Sequence, residues 1–158
     1  MTSDNTAESS SQQAPDAHRL AELAAHALFA GDRAAHSLGI AMEGTGPGQA
    51  RLVMTVRADM LNGHGICHGG VVFTLADSTF ALACNSYNAV TVAATASIDF
   101  LAPVREHDRL TADAREVWRS KRNGIYEVCV SNQRGERVAL FRGRSYCIGG
   151  EIVPQATR

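Results

Sequence analysis

The spacing of hydrophobic and polar positions changes period along the chain, and the changes divide it into helical and extended stretches. From Ala17 to about Ala35, apolar residues recur at Leu20, Leu23, Ala24, Ala27 and Leu28, the three-and-four spacing that predicts a helix with one buried stripe, with Gly39 marking the exit. Residues 38–45 and 50–58 predict two strands joined across Gly44-Thr45-Gly46-Pro47-Gly48, a run whose glycines and proline suit a hairpin turn. In the second, Leu52, Met54 and Val56 alternate with Arg51, Val53, Thr55 and Arg57, so its two faces differ in burial. Between Gly70 and Asn85 the period becomes helical again: Val72, Leu75, Ala76, Thr79, Phe80, Ala83 and Cys84 share one face, and the small residues among them predict close packing on a sheet. Past Asn88 the Val- and Thr-rich runs 90–100, 109–118, 125–132 and 138–148 predict four strands,. Turns at Pro103 with Glu106-His107-Asp108, at Lys121-Arg122-Asn123-Gly124 and at Gln133-Arg134-Gly135-Glu136 separate them. Consecutive antiparallel strands after one central helix point to an α+β fold, the sheet curled over that helix.

Composition narrows the class. A chain of 158 residues holds one domain,, placed at 16–150 between a tail at 1–15 and another at 151–158. Fifteen Lys and Arg against sixteen Asp and Glu give a net charge of −1 with no basic block, which excludes a nucleic-acid surface. Ser78 to Ile98 carries no charge over 21 positions, long enough to raise a membrane span. The polar cluster Asn85-Ser86-Tyr87-Asn88 in its middle makes it a helix, a turn and a strand instead. Met1 to Pro15 has neither a basic nor an apolar leader region and reads as the disordered tail of a cytoplasmic protein. Cys67, Cys84, Cys129 and Cys147 form no CxxC pair, and nothing suggests a disulfide framework. Eight of the 14 glycines fall within 39–48 and 63–70, where the backbone is expected to do something unusual.

Asp77 is the first chemical candidate, because a helix interior is a poor place for a short carboxylate. Periodicity alone leaves a solvated or Arg-paired surface Asp as good a reading as a functional one. The balance shifts because Asp77 stands two turns below a helix N-terminus built of His68-Gly69-Gly70, whose unpaired amides and positive dipole end suit a developing oxyanion. There the amide of Gly69 or Gly70 would polarise a carbonyl while Asp77 attacks it or activates a water. His64, Cys67 and His68 include zinc-ligand types, but consecutive Cys-His side chains diverge and no second ligand cluster follows, so no metal is expected. Cys67 reads as a small buried hydrophobe. The turn Arg119-Ser120-Lys121-Arg122, with the chain's only lysine, reads as a solvated loop or as a seat for an anionic ligand.

The stretch Leu61-Asn62-Gly63-His64, then Cys67-His68-Gly69-Gly70, Leu75-Ala76-Asp77 and Ile98-Asp99-Phe100-Leu101 with Pro103 resembles the hotdog-fold acyl-CoA thioesterases, and among them the phenylacetic acid degradation branch. Ala139-Leu140-Phe141-Arg142-Gly143 with Gly149-Gly150 agrees. The likeness runs from about residue 20 to 150. It implies a hotdog fold, a curved antiparallel sheet wrapped round the helix that carries Asp77, with subunits paired edge to edge and then as a dimer of dimers, the active sites lying between subunits. It implies Asp77 as the catalytic carboxylate, Gly69 as the amide on the thioester carbonyl, and Asn62 and His68 as residues orienting the thioester or the water. Aryl- or arylacetyl-CoA is the substrate it implies, with no cofactor. Some relatives supply a partner Ser or Thr from the strand after the helix, where this chain offers Ala93 and Thr95. Gly70, Phe73, Thr95, Lys121 and Arg122 are further candidates for substrate or CoA contact. A hotdog hydratase or dehydratase and a non-catalytic acyl-CoA binder are the alternatives.

Overall fold

A computed structural model describes residues 13–154; residues 1–12 of the tail placed at 1–15, and residues 155–158 of the tail placed at 151–158, lie outside it. Two helices, α1 (Gln13–Ala30) and α2 (Arg33–Ser37), lead into β1 (Ala41–Gly46) and β2 (Gln49–Thr55); the long α3 (Gly69–Asn85) follows, then β3 (Ala89–Phe100), β4 (Arg109–Arg119), β5 (Asn123–Ser131) and β6 (Arg137–Glu151). The strands form one antiparallel sheet in the order β1-β2-β4-β5-β6-β3. Every strand expected from the sequence is present. The turn between the first two is tighter than the whole glycine run: Gly46 pairs with Gln49, leaving Pro47 and Gly48 at the bend. Gly48 takes φ +70°, the conformation glycine adopts without a Cβ penalty.

The sheet wraps α3. All seven residues assigned to the inner face of that helix are buried, with Leu75, Ala76, Thr79 and Ala83 at 0% exposure. Phe80 stacks at a tilt on Tyr126 and Phe141, centroids 5.6 and 5.7 Å away, and Leu52, Met54, Val56, Val128 and Val130 close the core around it. Two sequence expectations need correction. The single helix expected from Ala17 to Ala35 is two, because the chain turns at Gly31 and Asp32 restarts it, its Oδ1 accepting the Ala35 N–H at 2.9 Å,. Its buried stripe is also made of alanine rather than leucine: Ala21, Ala24 and Ala25 are fully buried while Leu23 is 48% exposed. Small side chains let α1 lie close on α3 and β1.

The two edges of the sheet differ. β1 is short, carries an irregularity between Met42 and Gly44, and lies against α1. β3 is twelve residues long and mostly exposed, with Val92 and Phe100 among its uncovered side chains. A long edge strand with apolar side chains is a template for pairing.

Candidate active site

The loop before α3 is organised by its own hydrogen bonds. The Asn62 N–H donates to Ile66 O (2.8 Å), Gly65 N–H to Asn62 O (2.9 Å), and Asn62 Oδ1 accepts from the His64 amide at 2.9 Å. Cys67 N–H donates to Val104 O and His68 N–H to Met60 O, both at 2.8 Å, which anchors the loop beneath α3. Asn62 therefore spends its carbonyl oxygen on the turn, and only its Nδ2 is left to face a ligand. Burial pushes the Cys67 thiol up to about 11, so it stays protonated and apolar in character, as expected.

His68 caps α3. Its backbone is extended (φ −61°, ψ 132°) and its Nδ1 accepts the Gly70 N–H at 2.9 Å. Its carbonyl accepts the Val71 N–H at 2.9 Å and, more weakly, the Val72 N–H at 3.4 Å. Of the first-turn amides, Gly69 N–H alone is left without an acceptor among the described residues,. The two candidates for the oxyanion amide are thereby told apart: Gly70 is engaged by the cap, Gly69 is open. With Nδ1 accepting from Gly70, neutral His68 carries its proton on Nε2, a donor at the start of α3. A Cβ on Gly69 would stand 2.9 Å from Cζ of the Phe100 ring, so glycine is what lets the ring lie over the helix start.

Asp77 is half-buried and makes no hydrogen bond among the described residues. It opens onto a cavity of about 370 Å³ walled by Leu28, Phe29, Phe80, Leu82, Val92 and Ala93, with Asp32, Ser78, Asn85 and Thr91 as its other polar lining. Burial, and then the nearby Asp32 carboxylate, raise its pKa above the ordinary Asp value,. An unpaired carboxylate on an apolar wall has the character of a reacting group.

The same chain does not bring Asp77 to the Gly69 amide. Eight residues separate them on one helix, about 12 Å along the axis, too far for both to act on one carbonyl. His68 and Gly69 stand at the start of α3 with Asn62 in the loop that leads into it, and Asp77 stands apart on the cavity. Phe73 turns away from that cavity and meets Phe141 edge-on at 5.4 Å, against the core. Thr95 lies on the exposed β3 edge at an irregularity of its pairing with β6, while Ala93 is the residue that lines the Asp77 cavity. Lys121 and Arg122 sit on the β4–β5 turn, Arg122 donating to Tyr146 Oη at 3.1 Å and Arg119 lying 3.7 Å over the Tyr87 ring. A small recess beside that turn shares Cys84 and Thr91 with the Asp77 cavity. Among the described residues no group of three or more His, Cys, Asp and Glu is placed to hold a metal. Asp32 escaped the sequence reading. Asp32 followed by Ala35 has the pattern of a helix cap, and nothing in it says that its second oxygen reaches α3.

This helix, sheet and site define a class: the chain belongs to the thioesterase superfamily and is a hydrolase of the hotdog type, its residues 64–139 matching that family. The acyl-coenzyme A thioesterase PaaI of Escherichia coli is 47% identical over 132 residues, spanning 84% of this chain and 94% of that protein. The structure of the E. coli PaaI protein, from the phenylacetic acid degradation operon, superposes with a TM-score of 0.84 over 85% of this chain and 97% of that one, at 46% identity. A Streptococcus mutans protein solved with acetyl-CoA bound, 28% identical, matches with a TM-score of 0.69 over 71% of this chain and 90% of its own. The likeness to an acyl-coenzyme A thioesterase over most of the chain favours hydrolysis over the hydratase alternative.

Proposed function

We propose that the chain hydrolyses aryl- or arylacetyl-CoA thioesters, of the phenylacetyl-CoA type, to the free acid and CoA, at sites shared between two copies. The observation that carries this reading is the unpartnered Asp77 carboxylate on an apolar-walled cavity, on a helix whose one open first-turn amide among the described residues, that of Gly69, lies about 12 Å away along the axis,. Pairing two copies along the exposed β3 edge would bring the Gly69 amide and His68 of one to the Asp77 of the other. The likeness to PaaI and the acetyl-CoA held by the S. mutans relative support the substrate class. A thioester is already activated, so positioning, one oxyanion donor and one carboxylate suffice. Water oxygen ends on the acyl carbon, the C–S bond breaks, and the sulfur leaves as CoA thiolate. Asp77 takes part as base on that water or as the first nucleophile. The apolar walls, with Phe29 and Phe80, suit an aromatic acyl group, and the Lys121-Arg122 turn, on the recess that adjoins the cavity, suits the CoA phosphates,. We assign the chain to a dimer of dimers in the cytoplasm, in keeping with its four free thiols,.

The test is a panel of phenylacetyl-CoA, hydroxyphenylacetyl-CoA and straight-chain CoA esters, followed by released thiol, with light scattering on the same sample. Preferential hydrolysis of the aromatic esters by a particle larger than one chain is expected. Binding without turnover would replace this reading by the acyl-CoA binder, and turnover by a monomer would refute the shared site.

A further inference from the structure

A second carboxylate stands on the cavity of Asp77. Asp32, in the elbow between α1 and α2, uses both oxygens: Oδ1 accepts the Ala35 N–H at 2.9 Å and caps α2, and Oδ2 accepts the Ser78 Oγ–H at 3.2 Å. Ser78 is the residue next to Asp77 on α3, and all three side chains line one cavity. Neither use is salt-bridged, since no Lys, Arg or His pairs with Asp32 among the described residues. The cap and the serine bond would each be satisfied by an uncharged acceptor. A buried-side negative charge facing the reacting carboxylate is the part that these local roles leave unexplained.

We propose that Asp32 is a positioning residue for Asp77: Ser78 holds it against α3, and its charge keeps the Asp77 carboxylate basic enough to serve the thioester. This rests on Asp77 being the catalytic carboxylate. Like charges across a low-dielectric cavity disfavour ionisation of either, and a carboxylate of higher basicity is the better proton acceptor or nucleophile. The direction agrees with the raised Asp77 pKa, caused first by burial and then by Asp32. Within one chain no other group packed around Asp77 supplies the effect, and His68 of the second copy, which the proposed pairing brings to Asp77, is common to the wild type and Asp32→Asn and drops out of their difference. β3 contributes Thr91, Val92 and Ala93 to the cavity and α1 contributes Leu28 and Phe29, none of them charged. Cys84, on α3 itself, has its thiol pushed up to about 12 by burial and is neutral over the working range. His36 on α2 is turned to the Phe29 carbonyl, 2.9 Å from its Nε2.

The experiment is the pH dependence of kcat/KM for phenylacetyl-CoA, followed by the thioester's ultraviolet absorbance, in the wild type, Asp32→Asn and Asp77→Asn. Asparagine keeps an acceptor for Ala35 and a partner for Ser78 while removing the charge. The acid limb of kcat/KM reports the free enzyme, and in Asp32→Asn it is expected to move to lower pH. The plateau kcat should fall roughly threefold to tenfold, with KM little changed. An acid limb that coincides with the wild type overturns the proposal and leaves Asp32 as a helix cap. If Asp32→Asn folds poorly, Asp32→Ser, which also caps a helix without charge, supplies the same reading. Full turnover in Asp77→Asn would instead sink the catalytic reading beneath it, so the two failures are distinguishable.

Discussion

The two ends of α3 are built from similar polar residues and treat them in opposite ways. At the C-terminal end everything is paired. Asn85 Nδ2 donates to Ala81 O and Thr91 O, its Oδ1 accepts the Thr91 N–H, and Ser86 Oγ accepts from Gly48 N–H while donating to Ala83 O. Tyr126 Oη donates to Glu116, which also meets Arg119 at 3.4 Å. In the N-terminal half, the Gly69 amide and the Asp77 carboxylate are left open. Both groups are only half-buried and no buried side-chain N or O atom among the described residues lacks a partner, so water can satisfy them in one chain and both stay available to a ligand. The closed end is what makes the open end affordable: it pins β3 to α3 and fixes the cavity walls.

Substitutions that exchange these two characters test the contrast. The largest effect is expected from Asp77→Ala, which should lower kcat for the aromatic thioester by about three orders of magnitude or more. The variant should fold as well as the wild type, which circular dichroism and a melting curve will check. Retained turnover would show that the open carboxylate is not the reacting one. A smaller loss, between about tenfold and a hundredfold in kcat/KM, is expected of Gly69→Ala. The N–H remains, but the new methyl pushes the Phe100 ring off the helix start and narrows the approach to the amide, whose full removal would cost about a hundredfold or more. Gly63→Ala, where a Cβ meets nothing within 4 Å, is the control and should leave kcat/KM unchanged.

Much of this architecture is legible in the sequence because it rests on periodicity. The inner face of α3 follows from the spacing of Val72 through Cys84, and the strands from alternation between clear turns. The Gly31-Asp32 break was hidden because alanines continue the helical spacing through it, and local spacing does not reveal a capping bond. Asp32 and Ser78 are 46 residues apart, and their contact depends on how α1 docks. Asp77 and the HGG cap were both visible as candidates. Their separation was equally available, as about 12 Å of helix rise, but a single chain suggests one site, and the need for a second copy shows only once β3 is seen as an exposed edge.

At the closed end, Ser86→Ala strips the buried Gly48 N–H of its acceptor. An orphaned buried donor costs about 1–3 kcal/mol, so urea unfolding should show that loss with little change in kcat. A large fall in kcat with stability intact would mean that this end, too, belongs to the chemistry.

The smallest effect concerns the cost of holding Asp77 open. Its folded pKa lies above the unfolded value, through burial and then Asp32, so between those two values the folded chain holds more protons than the unfolded one. Stability then falls as pH rises through that window and stays lowered above it. Asp77→Asn removes this penalty. It should melt a little higher than the wild type near neutral pH, and the margin should shrink to nothing as the pH drops below the ordinary Asp range. Ser86→Ala, which changes no titrating group, should show a pH-independent difference over the same series. Were the Asp77→Asn margin also flat with pH, the carboxylate would be as well solvated folded as unfolded, and the two ends of α3 would differ in hydrogen bonding alone.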